Sequence, residues 1–205
     1  MNLTRYGNAL KNWDNVEVDN DFINFTTATD GWTSLVVDVG STATVGDAIN
    51  GVLALGTDAT ANDEVDVRTT AELFRFGTNR GIYGRVKLQY SEANTDDAQV
   101  FIGFMSALAA DSITDAGAIR ASGSIAGIYK VLNGTVWRCH TANNGTVTDT
   151  ISTKTAGGAT AQTLEIELND WDGVSMQATF KVDGEYLKDS NNLVIRHTVL
   201  IASST

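Results

Sequence analysis

The strongest constraint in this chain is a strict alternation over residues 174–182. Val174, Met176, Ala178, Phe180 and Val182 are apolar, and Ser175, Gln177, Thr179 and Lys181 between them are polar. A period of two puts all the apolar side chains on one side of an extended backbone, so the segment predicts a β-strand with one wet face. It stops at Asp183-Gly184, a pair that tolerates the positive φ angles of a tight hairpin turn, and Glu185-Tyr186-Leu187 reads as the returning strand. Upstream, Leu164, Ile166 and Leu168 alternate with Glu165, Glu167 and Asn169, and Asp172-Gly173 marks the intervening turn. Together these predict an antiparallel meander of at least three strands.

The same grammar recurs along the chain. Ile82, Gly84, Val86, Leu88 and Tyr90 alternate with Tyr83, Arg85, Lys87 and Gln89. Val100–Met105 is apolar on both faces and predicts a central, covered strand. Asn133-Gly134 lies between Tyr129–Leu132 and Thr135–Arg138 as a hairpin signal, and Leu193–Ile195 with Thr198–Ile201 reads as a closing strand. Residues 152–162 are biased in composition and read as a loop. Residues 106–124, rich in Ala, Ser, Asp and Gly, read as a long connection with room for a short helix. Many short strands divided by Gly and Asp turns predict an all-β sandwich or jelly roll. Residues 1–25 mix aromatic and polar residues without a clean period and read as an extended arm or edge strand, leaving 26–205 as a single β-sandwich domain.

Charge narrows the function. There are 14 Lys and Arg against 25 Asp and Glu, a net charge of −11. A surface this acidic repels phosphate backbones and anionic bilayers, so neither nucleic acid nor membrane is an expected partner. Met1–Asn8 lacks a basic stretch followed by an apolar core, so no secretory signal is read there. The single cysteine, Cys139, excludes an intrachain disulfide and any zinc site of paired cysteines.

The order of segments resembles the concanavalin A-like (laminin-G-like) jelly roll. The elements that carry the likeness are Arg85–Leu88, a polar loop, Phe101–Phe104, and the late Leu164–Glu167 to Phe180–Gly184 hairpin. More narrowly, the chain is similar to virion proteins of tailed phages of the capsid-decorating or cement type. That likeness rests on Gly51–Leu55, Asn62–Glu64, Ala93–Ala98, Tyr129–Val131, Val136–Arg138 and Gln162–Glu167, and it covers the chain from about Trp32 to Leu187. Gly81-Ile82-Tyr83-Gly84 departs from the bulky aromatic step expected before the Arg85-Val86 strand. The resemblance implies a non-enzymatic structural protein that decorates and stabilises a capsid by bridging capsomers. Its implied partners are the major capsid protein and further copies of itself as a trimer, and its implied place is the outer capsid surface of a virion made in a bacterial cytoplasm. No cofactor is expected. An arm of this kind would dock through Tyr6, Trp13, Val16, Val18 and Phe22, since interfaces favour aromatic and apolar anchors. The alternative on the same fold is a carbohydrate-binding module for adsorption or adhesion, which requires exposed aromatics and acidic or amide side chains in a concave sheet face.

Candidate chemistry is sparse. Glu165 and Glu167 invite comparison with the paired carboxylates of jelly-roll glycosidases, but Asn169 stands where a third carboxylate is expected, and an amide cannot do proton work. The polar face of a half-buried strand accounts for all three. Asp58, Asp63, Glu64 and Asp66 have the oxygen chemistry of a calcium loop without its spacing, and they read as a solvated acidic loop, as do Glu92, Asp96 and Asp97. His140 and His197 stand alone in sequence. Cys139 and His140, adjacent on a strand, point to opposite faces, so a buried inert thiol is expected. Trp137 reads as core, Trp171 lies in a turn region, and Gly117, Gly123 and Gly127 lack the Gly-Lys-Ser/Thr of a phosphate loop.

Overall fold

The computed structural model describes residues 32–36, 40–46, 52–57, 63–69, 81–92, 96–106, 112–114, 117–143, 145–169, 172 and 174–200. Among these, all regular structure is β-strand, and every pairing is antiparallel. The strands fall into two compact units.

The first unit holds two ribbons. β1 (Trp32–Val36) pairs with β4 (Val65–Thr69), and β2 (Thr42–Gly46) pairs with β3 (Val52–Gly56). Val52 and Leu55 of β3 are about half exposed.

The second unit is a β-sandwich. One sheet has the order β6 (Val100–Met105), β7 (Ser124–Lys130), β8 (Val136–Asn143), β9 (Thr146–Thr155). The other runs β5 (Ile82–Leu88), β10 (Gln162–Asn169), β11 (Ser175–Val182). The far edge of β11 is shared by β12 (Glu185–Tyr186) and β13 (Arg196–Leu200). The inward-facing residues form one core. Ile128, Trp137 and Cys139 from the first sheet meet Leu164, Ile166, Leu168, Met176, Ala178, Phe180 and Val182 from the second. Each large side chain so buried contributes roughly 1.5–3 kcal/mol of transfer free energy.

The alternation read in 164–168 and 174–182 is realised. The apolar set from Leu164 to Val182 faces inward, although Val174 lies just outside β11 and is exposed. Asp183 and Gly184 take φ of 55° and 81°, as the tight hairpin requires. Asp172 starts β11 by accepting the amides of Val174 and Ser175 at 2.8 and 2.7 Å.

Four local expectations are corrected. Val100–Met105 is not central: among the described strands β6 is an edge. It is apolar on both faces because Val100, Ile102 and Phe104 join the sandwich core, while Phe101 and Met105 pack on the outer face with Ile119, Ile125, Tyr129 and Ala142. The hairpin after β7 turns one residue earlier than Asn133-Gly134 suggests. Gly134 N–H donates to the Val131 carbonyl at 3.0 Å, which puts Asn133, with φ of 59°, at the third turn position. Residues 152–155 continue β9 rather than opening a loop, because Ser152 is buried and its hydroxyl donates to the Trp137 carbonyl at 2.6 Å. The described part of 106–124 has no helix. Ile113 and Ile119 form an antiparallel bridge whose side chains cover the outer cluster.

Candidate functional site

The outer face of the second sheet is set by register. With Leu164, Ile166 and Leu168 buried, Glu165, Glu167 and Asn169 must point outward together. β11 places Lys181, Thr179 and Gln177 opposite them, and beyond Thr179 and Lys181 lie Arg196 of β13 and Tyr186 of β12. Thr179 is the short side chain at the centre of this grid. An open depression of about 370 Å³ results, lined by Glu167, Asn169, Gln177, Thr179, Tyr186 and Arg196. Lys181 Nζ donates to Glu167 Oε1 at 2.9 Å and sits 4.6 Å from the Tyr186 ring centroid. The Glu167 hydrogen bond, against a smaller opposing effect of burial, raises the Lys181 ammonium above its ordinary pKa. Tyr83 donates to Glu165 at 2.8 Å on the adjoining strand, and burial followed by that bond raises its phenol. Both carboxylates of the strand are thus partnered.

A second polar cluster lies on the outer face of the first sheet. Asp149 receives the Tyr129 hydroxyl and faces His140 Nδ1 at 3.4 Å and Arg138 at 3.8 Å. Burial alone would raise the Asp149 carboxyl. The hydrogen bonds of His140 and Tyr129 and the charges of His140 and Arg138 outweigh it and hold the carboxyl below the usual range. Burial, then the Asp149 bond, pushes the Tyr129 phenol far up. His197 lies inside the sandwich between Thr141 Oγ1, 3.1 Å from Nδ1, and Thr150 Oγ1, 2.9 Å from Nε2. Burial lowers its pKa to about 4. The two histidines therefore do not stand alone, as sequence spacing suggests: each is tied to residues on neighbouring strands.

Cys139 is fully buried in the sandwich core, and burial pushes its thiol up. His140 faces the opposite way, as strand alternation requires. Trp137 is also fully buried, with Nε1 donating to Gln162 Oε1 at 2.8 Å. Glu92 is not a solvated loop acid. It accepts Lys130 Nζ at 3.4 Å and the Ala98 amide at 2.9 Å. Asp63 and Glu64 precede β4, and Asp66 lies within it; among the described residues no three His, Cys, Asp or Glu side chains gather as metal ligands. Tyr6, Trp13, Val16, Val18, Phe22, Asp58 and Trp171 lie outside the described residues.

Sequence reasoning missed Tyr186 and Arg196 as neighbours of Glu167 around the depression, and Tyr129, Arg138 and Asp149 as the cluster around His140. The wet face of 174–182 was the available signal for the first group. Only the register of three strands identifies its neighbours. Comparison with protein-family models, with curated proteins and with solved structures finds no match to the chain.

Proposed function

We propose that this chain is a non-enzymatic structural protein of a tailed-phage virion, built on a concanavalin A-like jelly roll, that decorates the capsid and cements it by bridging capsomers. One observation supports this reading: three of the segments carrying the resemblance fall on the sandwich framework. Tyr129–Val131, Val136–Arg138 and Gln162–Glu167 lie on or beside β7, β8 and β10, and their buried members Trp137, Leu164 and Ile166 are core. The likeness is one of scaffold rather than of reactive groups, as suits a protein that works through its surface.

The partners in this reading are the major capsid protein and two further copies of the chain, on the outer surface of a particle assembled in a bacterial cytoplasm. Burial of a standard patch, ~1,600 Å² in total, is enough for stable clamping. Repeated contacts on one lattice add avidity. Tyr6, Trp13, Val16, Val18 and Phe22 are the proposed contacts. Quantitative mass spectrometry of purified particles tests the role. Hundreds of copies in simple ratio to the shell protein are expected, a handful would move the protein to the tail, and absence would overturn the reading. Deleting residues 1–25 is expected to weaken capsid binding more than folding, and normal binding by the truncated chain would rule out the arm as the interface.

A second reading, a carbohydrate-binding module, is favoured by the outer face of the second sheet. Tyr83, across from Glu167, and Tyr186, which lines the depression with Glu167, Asn169, Gln177 and Arg196, are 52% and 42% exposed there. Aromatic rings next to carboxylate and amide groups are the chemistry that holds a polyhydroxylated ligand.

A further inference from the structure

The depression over Thr179 combines three features. Its volume of about 370 Å³ lies at the lower end of the ~300–1,000 Å³ typical of ligand sites. Its hydrogen-bonding groups keep capacity for a ligand, although Thr179 Oγ1 donates to Glu167 Oε2 at 3.4 Å and leaves its lone pairs to accept. Gln177 Nε2 is committed to Thr198 at 3.0 Å, which leaves Oε1 to accept, and the Asn169 amide makes no hydrogen bond among the described residues. Amides that both donate and accept match the vicinal hydroxyls of a sugar, and the half-exposed Tyr186 ring supplies an amphipathic wall.

The third feature is charge. Glu167 is neutralised by Lys181 at 2.9 Å. Arg196, directly across Thr179 on β13, has no acidic partner among the described residues. Among the described residues the depression therefore holds one uncompensated cation, in a chain of net charge −11. A guanidinium is a planar fork that matches a carboxylate in two parallel hydrogen bonds.

We propose that this depression binds an acidic saccharide, with the sugar ring against Tyr186, its hydroxyls on Asn169, Gln177 and Thr179, and its carboxylate on Arg196. The proposal rests on the sugar-binding reading above and adds the ligand class. The Lys181 ammonium holds Glu167 in place, so the anionic group is directed to Arg196 and away from the carboxylate.

The test is titration of the whole chain with tetragalacturonate, with sialyllactose and with the methyl ester of each, followed by calorimetry and by amide chemical shifts. At least one acid is expected to bind about tenfold more tightly than its neutral ester. Arg196→Gln, an exposed position, is expected to erase that difference, and Tyr186→Ala to weaken acid and ester alike. Equal binding of acid and ester would overturn the acidic preference while leaving the sugar-binding reading in place. A preference that survives in Arg196→Gln would overturn the assignment of the carboxylate. Failure of all four ligands to bind at millimolar concentration would overturn both.

Discussion

The ring of Phe104 on β6 lies against Gly84 on β5, so close that a Cβ at position 84 would stand 2.8 Å from its Cζ. The aromatic bulk expected just before Arg85-Val86 is thus supplied by the facing sheet. Gly84 is small because Phe104 occupies the space that its side chain would take. Gly84→Ala is therefore expected to destabilise the fold by about 1–3 kcal/mol through overpacking. Phe104→Leu in the same chain should recover part of the loss. Urea denaturation of the two single variants and the double variant measures this, and an unchanged midpoint for Gly84→Ala would show that the sheets yield freely.

Lys130 has a different task. It is almost fully buried, with Nζ donating to the carbonyls of Ala98 and Asp96 at 2.8 and 3.0 Å and to Glu92 at 3.4 Å. Its Nζ also lies over the Tyr90 ring, 5.9 Å from the centroid. Lys130→Met preserves the bulk and removes the donors, leaving a carboxylate and two carbonyls without this partner. The expected cost is about 3 kcal/mol. The Ala98 amide, which donates to Glu92, should exchange faster with solvent. Unchanged exchange at Ala98 would mean that Lys130 does not hold Glu92 in place.

His197 gives the stability a defined acid dependence. Burial lowers its pKa from 6.5 to about 4. Between those values the unfolded chain binds a proton that the native chain does not, so stability falls as pH drops from about 6.5 to about 4 and His197 adds no further loss below that. The full displacement corresponds to about 3 kcal/mol. Asp149 acts in a separate window. Its carboxyl is held low in the native state, so its contribution is present above the ordinary carboxylate range and is lost as pH falls through the lowered value. Denaturation midpoints from pH 7 to pH 4 should show the His197 slope in the parent and not in His197→Gln. Equal slopes would place the acid sensitivity elsewhere.

Cys139 should be inert. It is fully buried and its thiol is pushed up by burial, so little thiolate forms near neutrality. Iodoacetamide is expected to leave the native chain unmodified and to alkylate it fully in concentrated urea. Rapid labelling of the native chain would contradict the packing of β8 in the core.

The strand inventory of the second unit was largely written in local sequence. Two-residue alternation in 164–168 and 174–182, and the Asp183-Gly184 turn, are properties of adjacent residues, because the pleat alone decides which side chains share a face. The same local rule separated Cys139 from His140. Which strands lie side by side is decided by packing between distant segments, and no local pattern carries it. Val100–Met105 has the composition of a central strand, yet β6 is an edge among the described strands, because a second apolar cluster around Ile119 and Tyr129 covers its outer side. Glu92 read as a solvated acid until the fold brought Lys130 to it across 38 positions. The candidate site divides in the same way. The polar face of Glu165, Glu167 and Asn169 follows from alternation alone. Its neighbours Tyr186 and Arg196 come to it only through pairing of β12 and β13 with one edge of β11, since hydrogen-bonded register, rather than sequence distance, sets which side chains meet across a sheet.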